Sequence, residues 1–123
     1  MRPAGPDQIL RFFFRVEGRI GRAEYGLGLG FIYALYFAII AYVLGHDELT
    51  EGALLFLMLL AAPLIVALAV IMAKRCHDIG LPGSFFLLFL VPVVGVVWLI
   101  ALGLLPGNPG SNPYGPPPAF APE

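Results

Sequence analysis

Between two long apolar runs the sequence places "AKRCHDIGLPG", residues 73 to 83, with Lys74, Arg75, Cys76, His77 and Asp78 side by side. Such types could bind a metal or activate a thiol. A closed zinc site usually takes four Cys, His or carboxylate ligands at spacings such as CxxC or HxxxH. Cys76 is the only cysteine, and the only other histidine, His46, lies across an apolar run from His77. Consecutive residues rarely converge on one ion, so no metal site is expected. A Cys–His nucleophile pair must meet through space with an orienting group. Neighbours on a helix end point about 100° apart, which argues against that pair too.

The rest of the chain offers no substitute. It has no paired carboxylates, no nucleophile–base couple and no phosphate-cradling loop, so an enzyme is not expected. Nor is a cofactor or a nucleic-acid partner. A proton-coupled transporter normally keeps an ionisable residue inside a span, and none of the apolar runs holds one.

The elements that carry "AKRCHDIGLPG" are built for lipid. Hydrophobic residues make up 59% of the chain and charged residues 12%, against roughly 25% charged in soluble domains. Three runs lack Asp, Glu, Lys, Arg and His: 26–44, 53–73 and 84–105. At about 1.5 Å per residue each is long enough to cross a hydrocarbon core of roughly 30 Å as a helix. The expected fold is therefore an all-α integral membrane protein of one domain, with three transmembrane helices. Residues 1–25 form a cytoplasmic or interfacial segment, residues 26–105 the spans, and residues 106–123 an irregular tail rich in Pro and Gly. The first run lacks a following small-residue cleavage pattern and reads as an uncleaved span.

Basic residues set the expected orientation. Arg2, Arg11, Arg15, Arg19 and Arg22 precede the first run, and Lys74 and Arg75 follow the second. The 45–52 loop carries only acidic charge, in Asp47, Glu48 and Glu51. Cytoplasmic segments collect Lys and Arg, so the N-terminus and the 74–83 loop are expected inside and the 45–52 loop outside. In the third run Pro92 and Gly95 could break the helix and return the chain to its starting side. Two legs of about eleven residues are each too short to cross, which favours a single, mildly kinked span.

"DQILRFFFRVEG" mixes aromatics with Arg11 and Arg15 four apart, which predicts a short amphipathic helix in the headgroup layer. Gly18 and Gly21 predict a break after it, and Tyr25 suits the membrane–water boundary. Gly26, Gly30, Ala34 and Ala38 recur every four residues and so share one helical face, predicting close helix packing. The expected partner is the protein's own second or third span; a homodimer seam is the sharper alternative. Gly80 is placed to end the second helix, and Pro82–Gly83 to turn the chain. Asp78 among cations needs a partner, with Arg19, Arg22 and Arg75 as candidates. Glu24 is expected to pair with a nearby arginine. The expected site is thus an ionic, structural cluster of Arg19, Arg22, Glu24, Lys74, Arg75, His77 and Asp78.

Three segments carry a family resemblance: "GRIGRAEY" (Gly18 to Tyr25), "KRCHDIGLPG" (Lys74 to Gly83) and "PGNPGSNPYG" (Pro106 to Gly115). In order and spacing they resemble the domain of unknown function 805 family, the YhaH-like bacterial inner-membrane proteins. The resemblance implies a multi-pass protein of the bacterial inner membrane and no particular activity. The function that fits best is a non-enzymatic assembly, accessory or lipid-interaction protein. Its expected partners are the bilayer, anionic lipid headgroups, and a second copy or another membrane protein. The alternative is a component of a transport or channel assembly formed by oligomerisation.

Overall fold

The computed structural model describes residues 5–118. Arg2, counted above among the N-terminal cations, and tail residues 119–123 lie outside that part. The described chain is helical: α1 (Pro6–Phe14), α2 (Arg22–Leu44), α3 (Glu51–Ile79), a 3-10 helix (Gly83–Leu90) and α4 (Val94–Leu104). Helices α2 and α3 are long and apolar enough to cross a membrane.

Each boundary has a local cause. Pro6 opens α1, where a missing N–H costs nothing. Gly18, at φ 101°, turns the chain between α1 and α2. Thr50 caps α3 by accepting a hydrogen bond from the Ala53 N–H at 3.1 Å. At the other end Gly80 is left-handed, with φ 91°. Leu81 N–H donates to Cys76 O at 2.9 Å and Gly80 N–H to His77 O at 3.0 Å, a Schellman closure. Helix α3 is 29 residues long and therefore about 43 Å, longer than the hydrocarbon thickness. It continues six residues beyond the predicted 53–73 span, so Lys74 to Asp78 lie in its last turns and not in a loop.

The third run departs from the expected single span. Its first leg is a 3-10 helix and its second the 11-residue α4. Rises of about 2.0 and 1.5 Å per residue carry each leg roughly 16 Å, half the core thickness. Between them Val93 takes φ 66°, with Val94 N–H donating to Pro92 O at 2.7 Å, a tight three-residue turn. A Cβ at Gly95 would overlap the Phe89 carbonyl, so the close return needs glycine there. The two legs pack against each other as a hairpin, so the run does not form one continuous helix. Both its ends lie beside the C-terminal end of α3.

The packing face of α2 also differs from the prediction. Gly26, Gly30, Ala34 and Ala38 are exposed, and a Cβ at Gly26 or Gly30 would meet nothing within 4 Å. The buried residues are Tyr25, Gly28 and Ile32. They join Ile71, Met72, Cys76 and Leu102 in the core. Gly28 is the residue that permits close approach, because a Cβ there would crowd Ile71 and the Phe12 ring. Tyr25 is 1% exposed and donates its hydroxyl to Leu99 O at 2.8 Å. That bond ties α2 to α4.

Candidate functional site

The C-termini of α1, α3 and α4 converge at one end of the molecule, beside the N-terminus of α2. Each helix C-terminus leaves carbonyls without partners and carries partial negative charge. Three such ends together call for cations, and α3 supplies two adjacent ones to its neighbours. Lys74 donates to the α1 carbonyls of Arg11 at 2.9 Å and Phe12 at 2.7 Å, with its ammonium 5.3 Å from the Phe12 ring centroid. Arg75 turns the other way. Its Nε donates to Leu102 O of α4 at 2.6 Å, its Nη2 to Leu105 O, and its Nη1 to Ile20 O at 3.1 Å. Arg22, from the start of α2, adds a longer bond of 3.4 Å to Leu104 O.

Asp78 sits between two guanidinium groups. Its Oδ2 accepts from Arg75 Nη1, and its Oδ1 lies 3.0 Å from Arg19 Nε and 2.9 Å from Arg19 Nη2. Arg75, Asp78 and Arg19 are 0%, 4% and 9% exposed. Charges taken this far out of water are tolerable only when paired and fully hydrogen-bonded. One carboxylate does not neutralise two arginines, and main-chain oxygens take up the rest. Arg19 Nη1 donates to Gly110 O at 2.7 Å and Gly115 O at 3.2 Å; its Nη2 donates to Asn108 O at 2.6 Å.

Those carbonyls belong to the tail, which folds back onto the end of α3. Asn108 N–H donates to Asp78 O at 2.7 Å, and Asn112 Nδ2 donates to His77 O at 2.8 Å, so the tail caps α3. Tyr114 stacks on His77 with centroids 4.1 Å apart and planes 5° from parallel. The other face of the story for His77 is its Nδ1, 3.0 Å from Gly18 O. Gly107 presses so close that a Cβ would overlap the Asp78 carboxylate. The tail thus docks at the same end of the molecule as the 74–83 segment.

Of the predicted cluster, the structure brings together Arg19, Arg75, His77 and Asp78, with Lys74 beside them on α3 and bonded to the end of α1. Two members stand apart. Arg22 bonds α4 and not Asp78. Glu24 has no ion pair among the described residues; its Oε1 accepts from Gly21 N–H at 3.4 Å. Cys76 faces the apolar core while His77 faces Tyr114 and Asp78 the arginines, so these neighbours share no focus. Sequence reasoning missed Gly107, Asn108, Gly110, Asn112, Tyr114 and Gly115. Their signal was the spacing of the "PGNPGSNPYG" segment, whose main-chain acceptors carry neither charge nor hydropathy.

These features define a small α-helical membrane protein whose polar groups are knotted at one end. The chain belongs to the family described as "Protein of unknown function (DUF805)", whose model matches residues 13–116. The three segments that meet in the knot, 18–25, 74–83 and 106–115, all lie inside that match. The chain is similar to Escherichia coli inner membrane protein YhaI, 30% identical over 118 residues, covering 91% of this chain and 92% of YhaI. It is also similar to E. coli inner membrane protein YhaH, 24% identical over 117 residues, covering 94% and 96%. No solved structure matches.

Proposed function

We propose that this protein is a non-enzymatic scaffold of the bacterial inner membrane that works by holding anionic lipid, and through it a neighbouring membrane protein, at its basic end. One observation carries the reading: the polar groups of the knot are turned on one another, while other cations of the same end face outward. Arg19, Arg75 and Asp78 are bound internally and Lys74 is spent on α1. Arg11 and Arg15 are exposed beside exposed Ile9, Leu10 and Phe14. Apolar side chains among guanidinium groups suit a helix lying in an anionic headgroup layer. Arg15 also touches exposed Glu17 at 3.1 Å, a pair worth little in water and readily exchanged for phosphate.

In this reading α2 and α3 cross the bilayer, the hairpin dips into the inner leaflet and returns, and the basic end is cytoplasmic by the positive-inside rule. N-terminus, knot and tail then share the cytoplasm, and the acidic 45–50 connection is external. C-terminal fusions test this directly. A fluorescent-protein fusion should glow and an alkaline-phosphatase fusion should be inactive; the reverse pattern would restore a third crossing. The lipid contact is tested by native mass spectrometry of the purified chain. Retention of phosphatidylglycerol should fall several-fold in Arg11→Gln/Arg15→Gln, and unchanged retention would remove the lipid role.

A further inference from the structure

Beside the knot, α1 and α2 border an open cleft of about 360 Å³, lined by Gln8, Ile9, Phe12 and Phe13 of α1 and Glu24, Leu27 and Gly28 of α2. Glu24 is its one carboxylate, half-buried among apolar walls. An ionised carboxylate accepts about four hydrogen bonds. Among the described residues Glu24 accepts only the 3.4 Å bond from Gly21 N–H. The nearby cations are committed elsewhere. Lys74 is within electrostatic reach of Glu24, but its ammonium donates to Arg11 O and Phe12 O, while Arg19 and Arg75 hold Asp78. A carboxylate partly withdrawn from water without a matched cation is unfavourable.

The occupant must therefore bring a cation with N–H donors, and it must fit a cleft walled by aromatic and aliphatic side chains. Ring faces favour a cation as well. Positive charge lies nearby: the remaining N–H of Lys74, which is within electrostatic reach of both Glu24 and Arg15 at the C-cap of α1. A ligand that carries a primary ammonium a few ångströms from a phosphate, with hydrocarbon attached, matches both signs and the apolar walls. We propose that the α1–α2 cleft binds the headgroup of an ethanolamine-type aminophospholipid, with its ammonium on Glu24 and its phosphate toward the α1 cations. A choline headgroup lacks the N–H donors, and a glycerol headgroup lacks the cation. The ammonium subsite at Glu24 is distinct from the anionic-lipid contact proposed above, but the phosphate is directed to the same α1 cations, and in that part the proposal rests on that reading.

The test is competitive lipid retention on the purified full chain, read by native mass spectrometry. Palmitoyl-oleoyl phosphatidylethanolamine, phosphatidylcholine and phosphatidylglycerol are supplied in equal amounts. One charge-assisted hydrogen bond corresponds to about a tenfold preference, so phosphatidylethanolamine should be retained about tenfold over phosphatidylcholine. Glu24→Gln should abolish that preference and leave phosphatidylglycerol retention unchanged. Glutamine at this position still reaches back to the Gly21 N–H, so the start of α2 is kept. Free phosphoethanolamine should displace the bound lipid if the headgroup carries recognition. Equal retention of ethanolamine and choline lipids by the wild-type chain overturns the proposal without any variant. So does a preference that survives in Glu24→Gln. Strong phosphatidylglycerol retention with no ethanolamine preference overturns it while leaving the anionic-lipid reading standing.

Discussion

The two halves of α3 are solvated by different things. From Val70 to Asp78 every residue is buried, whereas Leu54, Leu55, Phe56, Met58, Leu59, Leu60, Ile65 and Val66 are exposed. The C-terminal half is enclosed by α1, α2, the hairpin and the tail; the N-terminal half has α2 alone for company, with an apolar groove between the two helices. Lipid tails are as apolar as leucine, so burying Phe56 against protein gains little over leaving it in the bilayer. At the basic end the bonds are polar and specific, and there the fold is decided. The lesson is that this chain is held from one end, by helix C-termini and the cations that cap them, and not by an apolar core running its length.

The largest expected effect comes from breaking that end at its anion. Asp78→Ala would leave Arg19 and Arg75 buried without their carboxylate, a loss of about 3–5 kcal/mol. Thermal unfolding of the purified protein in mild detergent should show a collapse of the melting point or no folded material. A melting point within a few degrees of wild type would mean the carbonyls alone hold the arginines, and the contrast between the halves would weaken.

A smaller effect tests the tail as part of the knot. Gly107→Ala places a methyl group into the Asp78 carboxylate, which must shift or release the strap. Overpacking of this kind costs about 1–3 kcal/mol. Limited proteolysis should then cut within 106–115 faster than in wild type. Unchanged proteolysis would show that the tail gives way without loosening the end of α3.

How much of this was legible in the sequence follows from what each signal measures. Hydropathy and length located α2 and α3, because solvation by lipid depends on side-chain type alone. Charge logic led from Asp78 to Arg19 and Arg75 as candidates, and the turn residues Gly80 and Pro82 marked the end of α3. The third run misled because hydropathy counts apolar residues and not the path of the chain: its two short legs hold as many as one span. The small-residue face of α2 misled because periodicity finds faces without saying which neighbour they meet. Tyr25, Gly28 and Ile32 won that contest, Tyr25 by reaching the Leu99 carbonyl and Gly28 by admitting Phe12 and Ile71. The tail was illegible for a third reason. Its acceptors are backbone carbonyls of Asn108, Gly110 and Gly115, which any residue carries.

The smallest expected effect, that of Phe56→Ala set against Ile71→Ala, is the one that sharpens the comparison most. Ile71 and Phe56 lie on the same helix, and both are large and apolar. Ile71 is 0% exposed and packed between α2 and α1, while Phe56 is 61% exposed. Ile71→Ala should cost about 2–5 kcal/mol, because it opens a void that the knot prevents from collapsing. Phe56→Ala should change stability by less than about 0.5 kcal/mol, because lipid or detergent fills the space at once. Both are read from the same unfolding experiment in bilayer nanodiscs. If Phe56→Ala proved as costly as Ile71→Ala, the outer half would have to be covered by another protein surface. The single chain would then be only half of the folding unit, and the exposed face of Gly26, Gly30, Ala34 and Ala38 would be the first place to look for the other half.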